Sequence, residues 1–427
     1  MTKTCGDNEK NMKVIQQSFT VPYSFPVIFT RDAFDTENTA LSDVLKTSGR
    51  NMNRMLVVVD SCIVNSTPGL LEKVEKYGQR HRDIIELADT PYVARGGEAC
   101  KKDSIEVERI HALIDKYHLC RHSFILAIGG GAVLDTAGYA AATAHRGIRL
   151  IRMPATTLAQ NDAGVGVKTS INGFGRKNYI GTFTPPYAVI SDFNFLDTLP
   201  DREKRAGIAE AVKVAIIKDR AFFDYLYRER HHLASFKPEV MEEMIIRCAE
   251  LHIEHIGTGG DPFEYGSSRP LDFGHWSAHK IEELTGGDVR HGEAVAIGVA
   301  LDSLYSYHIG NITEIELTKI LITLEDIGFD LYHWSLGWMN INEALKEFQE
   351  HLGGELNITL LDGIGHKIEA HEIDIDLLKT CMDELYRRQK SKEDRDAHSM
   401  LSEIGEGNAG SVLHRKPRET ARHSIIP

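Results

Sequence analysis

In the first two hundred residues, short apolar runs rich in β-branched residues recur between helical stretches. "RMLVVVD" (54–60), "FILAIGG" (124–130) and "RLIRMP" (149–154) are the clearest of them. Continuous apolar runs alternating with helix-period segments predict strands joined by crossover helices into a mainly parallel sheet. From "DREKRAGIAEAVKVAIIKD" (201–219) onward the periodicity becomes predominantly helical. The pattern predicts an N-terminal extension over 1–19, an α/β domain over 20–197 with a Rossmann-like, mainly parallel sheet, and a mostly α-helical domain over 198–390. Residues 391–427 are polar and poor in bulky apolar side chains. Such a tail buries too little surface to offset its ordering entropy, so it is expected to be disordered.

Composition narrows the function. The 427-residue chain carries a formal net charge of -13, which argues against a general nucleic-acid or anionic-membrane binder. A bound phosphate would need a local pocket. The cysteines (Cys5, Cys62, Cys100, Cys120, Cys248, Cys381) include no C-x-x-C pair, the pattern of reduced thiols in a cytoplasmic protein. The polar start has no apolar signal core, and no run approaches the roughly eighteen apolar residues of a membrane span.

Four stretches carry chemistry. In "FILAIGGGAVLDTAGYAAATAHRG" a buried strand runs into Gly129, Gly130 and Gly131 and then a helix, the physics of a pyrophosphate cradle. Leu134 stands where the last glycine of G-x-G-x-x-G would be, so a plain strand-to-helix turn is the alternative. Asp60 closes the strand "RMLVVVD", suited to ribose hydroxyls, and "GGEACKKD" places Glu98 and Lys101 in a glycine-led loop. The helix around Glu210 is apolar on nearly every face, so its carboxylate must be paired or bind a metal. Two partners compete for it: Lys213, one turn along, or two of the histidines in "LDFGHWSAHKIEELTGGDVRHGEA" (271–294). The latter would make an N,N,O set with an open fourth position, as in catalytic zinc sites. Spacing leaves His275, His279 and His291 as candidates for two places. Finally, "PATTLAQNDAGVGVKTSINGFGRKNYIGTF" (154–183) distributes Asp162, Lys168, Arg176, Lys177 and Asn178 along glycine turns, which suits a sugar phosphate or else a solvated surface loop.

The ordered motifs "GGEACK", "GGGAVLD", "TTLAQNDAGVGVK", "GRKNYIG", "RAGIAEAVK", "LDFGHWSAHKIE" and "RHGEAVAIG" resemble the sugar phosphate cyclase superfamily, which includes 3-dehydroquinate synthase, from about residue 20 to 385. "LDFGHWSAHK" is similar to the 2-epi-5-epi-valiolone synthase branch, which cyclises sedoheptulose 7-phosphate. The resemblance implies a dehydroquinate synthase-like fold, NAD, zinc or cobalt, and a homodimer. Carried over by position, Glu210, His275 and His291 become metal ligands. Asp60, Glu98, Lys101, Gly129, Gly130, Gly131, Asp135, Thr156 and Thr157 fall on NAD positions, with Asp162 and Lys177 near the nicotinamide. Lys168, Asn178 and Arg146 fall on phosphate-holding positions, Arg146 reaching in from a second subunit. Lys213, His279 and Asp272 fall on the substrate side and, with Lys168, are the expected catalytic groups.

The resemblance further implies a closed redox cycle. The C5 hydroxyl is transiently oxidised by NAD, phosphate leaves from C7, the ketone is re-reduced, and the opened ring closes by an intramolecular aldol. The product would be 2-epi-5-epi-valiolone or an epimer such as 2-epi-valiolone. 3-Dehydroquinate synthase and a metal-dependent polyol dehydrogenase are the alternative activities. Against the former, dehydroquinate synthases carry asparagine where this chain has Asp272, lysine where it has His252, and arginine where it has Ser268, with Arg269 next. Those groups suit a carboxylate substrate. Thr169-Ser170 departs from the valiolone branch, where asparagine and a small residue are expected.

Overall fold

The computed structural model describes residues 14–259, 263, 270–351, 354 and 356–406. Ser268, Arg269 and the end of the chain beyond 406 lie outside the described residues, as does the extension before Val14. The chain forms two compact units, one comprising residues up to Ala155 together with Val167–Asn194, the other Thr156–Gly166 together with Phe195 onward. The partition corrects the boundary read from sequence: the "TTLAQNDAGVG" stretch, expected in the first domain, belongs to the second unit.

The first unit is built on strands β1 (Val27–Thr30), β2 (Asn53–Asp60), β3 (Ile85–Leu87), β4 (Tyr92–Ala94), β5 (Phe124–Gly129) and β6 (Arg149–Pro154), a hairpin β7 (Lys168–Gly173) and β8 (Arg176–Phe183), and β9 (Ala188–Asp192). The main sheet has the order β1-β9-β6-β5-β2-β3, with β4 also on β2, and every pairing in it is parallel. Residues 124–128 of β5 are wholly inaccessible to solvent, the condition of a parallel strand covered on both faces. The helix Gly131–Thr143 starts directly after β5 with Gly130 as its cap. The region 168–183, expected as glycine turns, is instead an antiparallel hairpin. Thr169 hydroxyl pairs across it with Thr182, and Gly181 lets the strands close, since a Cβ there would lie 2.6 Å from Thr169 O.

The second unit is mostly helical, as expected, with one small antiparallel pair, β10 (Ile358–Leu361) and β11 (Lys367–Ala370). In the helix Asp201–Lys218 every residue from Ala206 to Ile217 is buried, and in the helix His291–His308 so is every residue from Ala294 to Ser306. Helices apolar all round belong in a core. The last helix runs from Ile375 to Glu406, so residues 391–406 are helical where a disordered tail was expected. The stretch "RRQKSKEDRD" supplies an i,i+3 pair, Lys390 with Glu393, and ties Arg388 to Glu325 and Lys392 to Asp330. Among the described residues no helix is long and apolar enough to cross a membrane.

Candidate functional site

In the second unit Glu210 sits midway along a buried helix with its side chain almost fully enclosed. Its Oε2 pairs with Lys213 Nζ. Its Oε1 faces two imidazoles, 3.2 Å from His291 Nε2 and 3.6 Å from His275 Nε2. The two partners that sequence spacing set in competition are therefore both engaged, one at each carboxylate oxygen. His275 opens the helix His275–Leu284 and His291 opens the helix His291–His308, so both rings project from first turns. One potential ligand atom from each of Glu210, His275 and His291 lies within 4.8 Å of the others, a spacing that could hold a metal ion.

Each ring is oriented from behind. His275 Nδ1–H donates to the Phe273 carbonyl at 3.1 Å, and His291 Nδ1–H donates to Glu282 Oε2 at 3.2 Å. Fixing Nδ1 in this way turns Nε2 toward Glu210 and raises its basicity, as suits a metal ligand. The sequence reading missed Glu282. The signal was present: Glu282 follows His275 by seven residues, hence lies on the same helical face, and is buried although charged.

His279 does not join the set. It is exposed, its ring centroid 5.4 Å from that of His275 and 6.3 Å from that of His291. Glu293, which follows His291 closely, is bound to Arg202 at 2.6 Å and to the Arg290 backbone N–H, a helix-capping role.

The Glu210 carboxylate is held ionised. Burial alone would raise the Glu210 carboxyl, but the Lys213 ammonium and His291 outweigh it and hold its pKa at about 2. Burial, with the neighbouring Lys213 charge, pushes His275 well below the ordinary histidine value, so it is a neutral donor. Burial also pulls on Lys213, yet Glu210, Asp162 and Asp272 leave it above the ordinary lysine value and charged. Asp162 lies on a π-helical turn (Ala159–Ala163), and His252 Nδ1 stands 2.9 Å from its Oδ1. That turn is fixed to the Glu210 helix: Asn161 Nδ2 donates to Gly207 O at 2.7 Å, and a Cβ on Gly207 would lie 2.6 Å from the backbone of Thr157. Thr156 is half-buried and its Oγ1 accepts from Ala159 N, while Thr157 is fully buried.

The first unit gathers a second set. Lys101 Nζ donates to Asp135 Oδ2 and to Asn178 Oδ1, each at 2.5 Å, and Ser170 Oγ reaches Asn178 Oδ1 at 3.0 Å. Expected NAD-side residues (Lys101, Asp135) and an expected phosphate-side residue (Asn178) thus share one network, and Ser170 of the unusual Thr169-Ser170 pair belongs to it. Asp60 caps the following short helix through Cys62 N at 2.7 Å. Gly129 packs where a Cβ would meet Asp60 Cβ at 2.8 Å, so the strand end admits only glycine. Gly130 and Gly131 carry the chain into a helix with no acidic residue in its first turn, leaving the amide end open to an anion. Glu98, Lys168 and Lys177 are exposed. Arg152, fully buried, donates to the Lys168 carbonyl at 2.7 Å and so fixes the start of β7. Arg146 is exposed, and both it and His145 have positive φ, 63° and 53°, which places them on a strained tip.

Comparison with known proteins gives the family. Residues 91–206 match the family model of the 3-dehydroquinate synthase N-terminal domain and residues 207–351 that of its C-terminal domain. The 3-dehydroquinate synthase of Nitrosospira multiformis is 36% identical over 310 residues, 71% of this chain and 82% of that protein. Among solved structures, the 2-epi-5-epi-valiolone synthase ValA from Streptomyces hygroscopicus subsp. jinggangensis, with NAD+ and Zn2+ bound, superposes with a TM-score of 0.78 at 28% identity, over 88% of this chain and 100% of that one. A 2-deoxy-scyllo-inosose synthase complexed with carbaglucose-6-phosphate, NAD+ and Co2+ has a TM-score of 0.66 at 22% identity, over 84% of this chain and 96% of that one, a likeness of fold.

Proposed function

Because the chain belongs to the 3-dehydroquinate synthase family of sugar phosphate cyclases, we propose that it cyclises sedoheptulose 7-phosphate to a valiolone, 2-epi-5-epi-valiolone or an epimer, with release of phosphate. The observation that carries this choice of substrate is Asp272, an acid where dehydroquinate synthases carry asparagine, in a site where His252 stands in place of their lysine. An added acid and the loss of a lysine dilute the cations that suit a substrate carboxylate, which favours a neutral polyol. The likeness to ValA supports the same reading. The dehydroquinate synthase reaction is the second reading, favoured by what the sequence relatives are called.

The donor set of Glu210, His275 and His291 fits a zinc or cobalt ion: an ionised carboxylate and two imidazoles with Nδ1 already occupied. We assign NAD to Asp60, Glu98, Lys101, Gly129 to Gly131, Asp135, Thr156, Thr157, Asp162 and Lys177. When bound, the metal supplies Lewis acidity to a substrate hydroxyl, and the nicotinamide takes up and returns a hydride. Lys213 keeps a charged ammonium to hold the substrate oxygen nearest Glu210. His279, exposed beside the imidazoles, is placed to orient a hydroxyl or relay its proton to solvent. Lys168 and Asn178 hold the phosphate. Arg146, held out on its left-handed tip, completes the phosphate site of a second subunit in a homodimer.

The test is product identification. Purified protein incubated with sedoheptulose 7-phosphate, zinc and sub-stoichiometric NAD should release phosphate over many turnovers, yield a valiolone by NMR and show no net rise at 340 nm. NADH accumulating in step with product would make the protein a polyol dehydrogenase instead.

A further inference from the structure

The turn that presents His275 is held by the helix that presents His291. Gly274, which precedes His275, has φ of 76° and offers no side chain to cap its helix. The cap comes from elsewhere: Asp302 Oδ2 accepts the Gly274 backbone N–H at 2.9 Å, and Asp302 Oδ1 accepts Trp276 Nε1–H at 2.9 Å. Asp302, 1% exposed, thus grips the residue on each side of His275. It lies on the His291 helix, roughly three turns beyond the ligand and on the same face, because eleven residues at about 100° each return close to the starting direction. One turn nearer, Gly298 makes the approach possible: a Cβ there would lie 2.0 Å from Gly274 O, and a Cβ on Gly274 would lie 2.6 Å from Val299 N. Backbone contact therefore sets how close the turn sits. The two carboxylate oxygens fix its rotation and its position along the helix.

We propose that Asp302 is a positioning residue for metal binding, fixing His275 relative to His291 so that both Nε2 atoms face Glu210 Oε1. This rests on the reading of Glu210, His275 and His291 as metal ligands. Position 274 cannot carry a capping side chain of its own, since a Cβ there would meet Val299 N. The cap comes from the body that carries the other histidine, which makes the two ligands one rigid unit.

The experiment compares wild type with Asp302→Ala, Asp302→Asn and Trp276→Phe. Zinc affinity is read by chelator competition, ligand geometry by the visible absorption of the Co2+-substituted protein, and folding by circular dichroism of the metal-free form. Asp302→Ala should bind zinc about tenfold to a hundredfold more weakly. Trp276→Phe, which removes one donor and keeps the buried ring, should weaken it less, and both should alter the Co2+ spectrum. If Asp302→Ala does not fold, Trp276→Phe and Asp302→Asn decide. Zinc affinity and Co2+ spectra indistinguishable from wild type in these folded variants would overturn the proposal. A His275→Ala control that binds zinc as tightly as wild type would instead overturn the ligand assignment beneath it.

Discussion

Gly292 touches Ala206 with no space for a side chain: a Cβ on Gly292 would lie 2.2 Å from Ala206 O and 2.5 Å from its Cα. Gly292 adjoins His291, and Ala206 precedes Glu210 by one helical turn, so this contact sets the distance between two candidate ligands. Backbone atoms cannot rotate aside. Gly292→Ala should therefore cost about 1–3 kcal/mol of stability, the usual range for overpacking, and weaken zinc binding at least about tenfold by spreading the helices. Thermal unfolding of the metal-free protein and chelator competition measure the two effects. Unchanged zinc affinity would mean that the helices can move apart without disturbing the ligands.

The ligand set makes a sharper claim about three histidines. Replacing Glu210, His275 or His291 by alanine should abolish tightly bound zinc, because two protein ligands hold the ion poorly. His279→Ala should keep most of the metal and lower turnover, since its ring lies beside the set. Metal content by atomic emission, read with phosphate release, separates the cases. A His279→Ala protein stripped of zinc, with His291→Ala fully loaded, would reverse the assignment.

Much of this site was legible in the sequence because its signals are local. A carboxylate on a helix apolar all round announces a buried charge, and the strand-glycine-helix passage at Gly129–Gly131 announces a backbone open to a ligand. What spacing could not decide was which two of His275, His279 and His291 turn inward, since that depends on how two helices cross. Asp302 escaped notice for the same reason: its partners are a backbone amide and an indole from another helix. The placement of Thr156–Gly166 was misread because chain order was taken for spatial order, whereas Gly207 and Asn161 fasten that turn to the helical unit.

Asp302 also predicts a pH signature. Burial raises its carboxyl from the ordinary aspartate value to about 7, against hydrogen bonds from Trp276 and Gly274 that lower it. A carboxyl whose folded pKa lies above its unfolded value contributes stability that is complete below the unfolded pKa, about 3.9, and is lost as pH rises through about 7. Relative to Asp302→Asn, which does not titrate, the metal-free wild type should lose stability between about pH 4 and 7, by an amount on the order of a few kcal/mol. Urea unfolding of both proteins at pH 5 and pH 8 provides the comparison. Parallel pH dependence would show that the carboxyl titrates as it does in the unfolded chain.

The central claim is that the chain cyclises a neutral heptulose phosphate, and competition between two substrates in one tube tests it most directly. Asp272 stands where dehydroquinate synthases carry asparagine and His252 where they carry lysine, and His252 is engaged with Asp162, so a carboxylate would lack the cation that those enzymes offer it. Losing a charge-assisted hydrogen bond costs about 1.5–3 kcal/mol, roughly ten- to more than a hundredfold in rate. Sedoheptulose 7-phosphate should therefore react with kcat/KM at least about a hundredfold above that of the 3-deoxy heptulosonate phosphate of aromatic biosynthesis, by phosphate release and product NMR. Comparable values for the two, or dehydroquinate as the main product, would contradict the account and make the protein a dehydroquinate synthase.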